Sequence, residues 1–263
     1  MKRAFLVAFC ILLLCGLLLA MNAGTVIAAY AGYTTSSYQA AAAPTYDGVW
    51  TTSTEWNDGA QSTISANAVF RNKWSAADDF SAVWEHFIIE FLNDNTNDTG
   101  DYWQIIYDGT ANGGTAPQSD DIRIDVVGHT NAGIKVYQGT GTGWNQITPS
   151  AGQVQMSNSI SSSPTSSTAH WVVEIRIEKL SLALQQDPWI RVAAYDASNS
   201  AAGVQAWPPT SQDVPSNYGV NTAVLGPIPE GLSLGVLVLL SSLVVLVGSY
   251  YFRKRSKQEI WVQ

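Results

Sequence analysis

The sequence is nearly free of cysteine. Cys10 and Cys15 are the only two in 263 residues, and both fall inside an apolar N-terminal run. Beyond residue 31, neither disulfides nor thiolate metal sites can hold the chain together, so that part depends on a hydrophobic core. Basic residues are scarce as well. Residues 32–229 carry seven Lys and Arg against nineteen Asp and Glu, a net charge of −12. Such a surface repels nucleic acid and anionic lipid and suits neutral polymers or cations, which excludes nucleic-acid binding. Only three histidines occur, His86, His129 and His170, at unrelated spacings. Nothing selects two of the acids as a glycoside-hydrolysing pair. Gly231-Leu232-Ser233-Leu234-Gly235 spells the nucleophile-elbow string, but it lies at the mouth of an apolar run rather than in a strand–turn–helix. No repeat of solenoid or propeller type is present.

The two ends are apolar. Met1-Lys2-Arg3 precedes the run Ala4–Ala20, and small residues follow at Ala23, Ala28, Ala29 and Ala31. This is the pattern of a secretory signal over residues 1–31, cut after Ala29 or Ala31, with an uncleaved anchor as the alternative. At the other end, residues 232–252 are uncharged and rich in Leu and Val, and Arg253, Lys254, Arg255 and Lys257 follow. A helix of that length rises about 1.5 Å per residue and spans a hydrocarbon core of roughly 30 Å. The basic cluster assigns residues 253–263 to the cytoplasm, so the preceding domain is expected at the cell surface.

Between the ends the expected order is a flexible lead-in over 32–45, a β domain over 46–222 and a juxtamembrane linker over 223–231. His170–Glu178 gives the clearest strand, with Trp171, Val173, Ile175 and Ile177 on one face and Glu174, Arg176 and Glu178 on the other, in water. Asp121–Val127 repeats the pattern, and Ile190, Val192 and Ala194 alternate with Arg191 and Tyr195. Val83–Leu92, Tyr102–Tyr107, Ile134–Tyr137, Trp144–Ile147 and Gln153–Ile160 add further strands, about ten in all. Only 179–186 has helical spacing. Strands without long helical connections predict an all-β, antiparallel sandwich.

The order of motifs carries a resemblance. Tyr46-Asp47-Gly48-Val49-Trp50 and Glu55-Trp56 open the domain. An acidic loop, Asn93–Asp101, leads into Tyr102-Trp103-Gln104-Ile105-Ile106-Tyr107-Asp108. Asp120-Asp121-Ile122-Arg123-Ile124, Gly143-Trp144, His170–Ile177, Trp189–Asp196 and Trp207-Pro208-Pro209 follow. This series resembles the family 9 carbohydrate-binding modules and the wider DOMON-like group, over about residues 45–220. The resemblance implies a jelly-roll-like sandwich that binds a sugar or, in other branches, a haem. It also implies an aromatic slot for sugar and calcium bracing the loops.

A sugar face stacks on aromatic rings while polar neighbours bond its hydroxyls. The candidates are Trp50, Trp56, Trp103, Trp144 and Trp207, most of them near turns, Gly or Pro. Each has an ordinary structural role as its alternative. In the acidic loop, Asp94, Asn95, Asp98 and Asp101 offer oxygens of the kind that calcium requires, while a solvated turn between strands is the ordinary reading. Asn97-Asp98-Thr99 is an N-glycosylation sequon, so glycan and metal would compete for one loop. Haem would need Met156 with His86, His129 or His170 as axial ligands, whereas a core methionine is the ordinary reading.

The expected role is a non-enzymatic, membrane-tethered module holding extracellular polysaccharide or glycan. A self-associating envelope component is the alternative, and a haem domain is a third. Pro229-Glu230-Gly231, the apolar run and the basic cluster together resemble sortase-type sorting signals, with a sortase-like processing enzyme as the implied partner. Acidic composition, the tail and the lack of disulfides suggest an archaeal source.

Overall fold

Strong period-two alternation at Trp171, Val173, Ile175 and Ile177 puts four large apolar side chains on one side of a strand, and all four are fully buried. The structure, a computed structural model, describes residues 29–40, 42–77 and 81–224. Thirteen strands form in these: β1 (Thr34–Gln39), β2 (Ala60–Ser65), β3 (Ala68–Ala76), β4 (Val83–Phe91), β5 (Tyr102–Asp108), β6 (Asp121–Val127) and β7 (Ile134–Gly139), followed by β8 (Trp144–Ile147), β9 (Val154–Ser161), β10 (His170–Glu178), β11 (Trp189–Tyr195), β12 (Gln205–Trp207) and β13 (Gly219–Val224). A one-turn helix, α1 (Ser53–Trp56), precedes β2.

The strands pair in the order β8-β7-β6-β5-β11-β13-β1-β3-β4-β10-β9, with β12 on β11 and β2 on β3. Folding this path over between β13 and β1 makes two layers. Ile105, Ile124 and Val192 of one arm share a core with Phe87, Ile89 and Val173 of the other. Each such side chain contributes about 1.5–3 kcal/mol on burial, which is how a domain without disulfides holds together.

Three expectations change. Residues 32–45 were expected as a flexible lead-in, yet 34–39 form β1, parallel to β3 through Tyr38↔Lys73 and Gln39↔Trp74. Its buried residues are small and polar: Ser37 is buried, and the buried Thr35 hydroxyl donates to Asn72 Oδ1 at 3.3 Å. The helical spacing at 179–186 yields only a 3-10 turn at Leu180–Leu182. Glu174, expected in water, is fully buried. The segment around α1 lies over that outer face of β4 and β10, where Trp50 and Trp56 pack on Ile88 and Val172.

Among the described residues, no helix is long and apolar enough to cross a membrane. The expected span over 232–252, the sorting signal at 229–231 and most of the signal segment lie outside the described residues.

Candidate functional site

The outer face of the β5–β6–β11 layer carries an open groove of ligand size. Alternation sends Trp103, Ile105 and Tyr107 inward, so their neighbours Tyr102, Gln104 and Ile106 point outward. Register then sets Val127, Tyr102 and Tyr195 side by side on three adjacent strands, through Tyr102↔Val127 and Tyr195↔Tyr102. Tyr102 and Tyr195 are half-buried, while Val127 and Val204 are 47% and 57% exposed. These four, with Arg191, Thr210 and Gln212, line an open groove of about 550 Å³. That volume lies within the ordinary range for small-ligand sites.

The next row of side chains fixes the groove's polar wall. Gln104 donates from Nε2 to Asp125 Oδ1 and to Gln212 Oε1, each at 2.9 Å. Its Oε1 accepts from Arg191 Nη1 at 2.6 Å. Arg191 Nε donates to the Thr210 carbonyl at 2.9 Å, and Tyr218 Oη to the Gln212 carbonyl at 2.5 Å. The 210–213 loop is therefore tied down over the sheet from both sides. Burial, and next the Asp125 carboxylate, raise the Tyr102 hydroxyl well above its ordinary value, so it stays a neutral donor and acceptor at physiological pH. Further along the same face, Trp144 Nε1 donates to Asp213 Oδ1 at 2.9 Å, and Arg123 stacks over the Tyr137 and Trp144 rings at 4.2 and 5.2 Å.

A carboxylate cluster sits at the end of the sandwich next to this groove. Asp101 immediately precedes Tyr102, and Asp196 immediately follows Tyr195. One oxygen from each of Asp94, Asp101 and Asp196 lies within 4.8 Å of the others. Asp101 is well furnished: Ala197 N donates to Oδ1, while Asp98 N and His129 Nε2 hydrogen-bond to Oδ2. Asp94 Oδ1 accepts from the Thr96 amide and hydroxyl. Asp94 Oδ2 is buried with no partner, and burial raises the Asp94 carboxyl above its ordinary value. Asp94, Asp196 and Asn199 border a cavity of about 20 Å³, enough for one water-sized occupant. An all-oxygen donor set, an orphaned carboxylate oxygen and a space of that size fit a hard cation such as calcium.

The tryptophans expected to bind sugar mostly lie elsewhere. Trp103 is fully buried in the core, its Nε1 donating to Met156 Sδ at 3.2 Å. Trp207 packs in the same core, edge-on to Phe70 and Tyr33. Trp50 and Trp56 are buried over the opposite layer, where Trp56 Nε1 donates to Glu174 Oε1 at 2.9 Å. Only Trp144 of the five is part-exposed. In the acidic loop, Asp94 and Asp101 point inward and join the cluster, whereas Asn95 is exposed and Asp98 turns to the Thr96 hydroxyl. Asn97 is exposed.

The histidines are each engaged separately: His86 with Tyr46 and Ser75, His129 with Asp101 and Asn158, and His170 with Glu90 and the Thr168 carbonyl. Sequence reasoning missed Tyr102, Tyr195, Arg191 and Asp196 as site residues. For Tyr102, Arg191 and Tyr195 the signal was the phase of β5 and β11: residues flanking core positions must face out.

No family model and no curated protein matches the chain. Among solved structures, it is similar to a family 9 carbohydrate-binding module from Caldicellulosiruptor kristjanssonii in complex with cellotriose. Identity is 14%, coverage 74% of this chain and 95% of that one, and the TM-score 0.47. A second structure of such a module from that organism, in complex with glucose, gives 15% identity, 73% and 97% coverage and a TM-score of 0.45. These are likenesses of fold alone.

Proposed function

We propose that this is a binding module, and that its ligand is a neutral glycan held in the Tyr102–Tyr195 groove. The observation that carries this reading is the cross-strand row Val127–Tyr102–Tyr195, an aromatic and aliphatic platform beside the fixed polar groups of Arg191, Thr210 and Gln212. Aromatic faces give a sugar ring apolar contact, while the polar wall takes its hydroxyls. The groove lining holds no carboxylate, so the carboxylate pair usual in glycoside hydrolysis is not assembled there, which supports retention rather than cleavage. A second depression, of about 630 Å³ beside β9, includes a single aromatic residue, Tyr46, and its hydroxyl is already bonded to His86.

In this proposal the apolar segment 232–252 anchors the module at the cell surface, facing outward, unless cleavage at Pro229-Glu230-Gly231 transfers it. Many copies on one surface make individually weak sites effective through avidity. A calcium-type cation at Asp94, Asp101 and Asp196 braces the ends of β5 and β11, from which Tyr102 and Tyr195 project.

The test is calorimetric titration of the full-length chain with a broad glycan panel that includes glucose and cellotriose. Tyr102→Ala and Tyr195→Ala should each weaken binding about 5- to 30-fold, equivalent to about 1–2 kcal/mol. Absence of binding across the panel, with and without calcium, defeats the glycan reading. Binding untouched by either substitution moves the site off this groove. Concentration-dependent self-association without ligand would favour the envelope-component alternative.

A further inference from the structure

The far end of β5 carries a second group of carboxylates, which the groove does not use. Asp108 closes β5, and its register partner Asp121 opens β6. Together with Asp120, each offers an oxygen, and the three atoms lie within 4.8 Å of one another. Asp108 and Asp121 are fully buried, while Asp120 is half-buried. The β5–β6 connection folds back on these groups. Asp108 accepts from Asn112 N at 3.1 Å and Gly113 N at 2.7 Å. Asp120 Oδ2 accepts from the Thr110 hydroxyl and from Asn112 Nδ2. Asp121 Oδ2 accepts from Gln118 N at 2.6 Å, but Asp121 Oδ1 is buried with no partner.

Three acids at this spacing need a counter-charge. Among the described residues, the ion pairs join other acids, namely Asp58, Asp125, Asp101, Glu90 and Glu85. A buried carboxylate oxygen without a partner forfeits its hydration for nothing. A proton shared among the acids and a bound cation are the two ways to relieve this. The donor set distinguishes them. Besides the N–H donors, the groups converging here are hard oxygens, from the three carboxylates and the Thr110 hydroxyl, and a carboxylate oxygen holding one N–H retains a lone pair for a metal. We propose that Asp108, Asp120 and Asp121 form a second site for a hard divalent cation of calcium type, which pins the β5–β6 connection to the sheet.

The site is independent of the glycan groove, and its test separates it from the Asp94 cluster. Full-length protein is stripped with chelator, and bound calcium is counted by equilibrium dialysis in wild type, Asp121→Asn, Asp94→Asn and the double variant. The expected counts are two, one, one and none per chain. Terbium bound to Asp94→Asn protein should emit on tryptophan excitation, because a Cβ at Gly113 would lie 3.4 Å from the Trp189 ring. Trp189→Phe should cut that emission several-fold. If Asp121→Asn, folded by near-ultraviolet circular dichroism, binds as many ions as wild type, the proposal is overturned. Should Asp121→Asn not fold, Asp94→Asn decides alone: one retained ion supports the second site, and none overturns it. A shared proton would show as an unchanged count with no terbium signal.

Discussion

Replacing Asp94 with Asn should change the protein's thermal stability in opposite directions with and without calcium. In chelator, the buried Asp94 carboxylate faces Asp101 and Asp196 at under 4.8 Å, with one oxygen unpartnered. At an effective dielectric of about 20, two full charges at that distance repel by roughly 3 kcal/mol; the hydrogen bonds that Asp101 holds with Ala197 N, Asp98 N and His129 offset part of this. Asn keeps an oxygen for the Thr96 amide and hydroxyl, and its Nδ2 becomes a donor to the neighbouring carboxylates. The cation-free variant should therefore be more stable by about 1–2 kcal/mol, raising Tm by roughly 2–8 °C for a domain of this size. At a calcium concentration 100-fold above Kd, the wild-type site gains about 2.7 kcal/mol, or roughly 5–10 °C, and the variant lacks that increment. Scanning calorimetry in chelator and in calcium then shows the two melting curves exchanging order. A variant that melts below wild type by the same margin in both buffers would refute the reasoning, because Asp94 would then be an ordinary hydrogen-bonding residue.

Two other substitutions probe the opposite layer. Burial raises the Glu174 carboxyl from 4.5 to about 7, so the folded chain binds that proton more tightly than the unfolded chain. Its contribution to stability should fall as pH rises from about 4.5 to about 7, by at most about 3 kcal/mol, and level off above. Glu174→Gln should flatten that slope in urea titrations across the window, and a difference between the two proteins that does not vary with pH would contradict it. Gly48 has φ +82°, and a Cβ there would lie 2.5 Å from the Asn158 backbone. Gly48→Ala should cost at least about 2 kcal/mol by urea unfolding, combining left-handed strain with overpacking; a loss below 0.5 kcal/mol, taken as roughly the level of a neutral surface change, would show that Gly48 does not approach the Asn158 backbone this closely.

Much of the sandwich was legible wherever apolar residues alternate with polar ones. The expected bounds of β6, β8 and β10 coincide with the observed Asp121–Val127, Trp144–Ile147 and His170–Glu178. β1 was not legible, because TTSSYQ offers almost no apolar residue. Among the tryptophan candidates, Trp103 failed on phase. Trp103 follows Tyr102 by one residue, and a shift of one turns a side chain to the opposite face. Trp103 shares its parity with the core residues Ile105 and Tyr107, so that face was readable from the strand itself. Asp94 and Asp101 could be named as candidates because they share a short loop. Asp196 was not, since only the antiparallel pairing Tyr195↔Tyr102 brings it alongside.

Strand β5 links the proposals. It spans Tyr102–Asp108, about 20 Å at a strand's usual rise, with one acidic cluster at each end and Tyr102 on its outer face. The cluster beside Tyr102 is also continuous with Tyr195 through Asp196, so a cation there should order both tyrosines of the platform. The Asp108 cluster lies at the far end and touches neither. Linkage is reciprocal: if calcium at the Asp94 site tightens glycan binding by some factor, saturating glycan must tighten calcium there by the same factor. Ions at the Asp121 site should show no such coupling. Measuring calcium affinity with and without glycan in Asp121→Asn and Asp94→Asn proteins separates the cases. Coupling retained in Asp121→Asn and lost in Asp94→Asn fits this geometry. Coupling that follows Asp121 instead would mean that the ligand engages the other end of the sandwich.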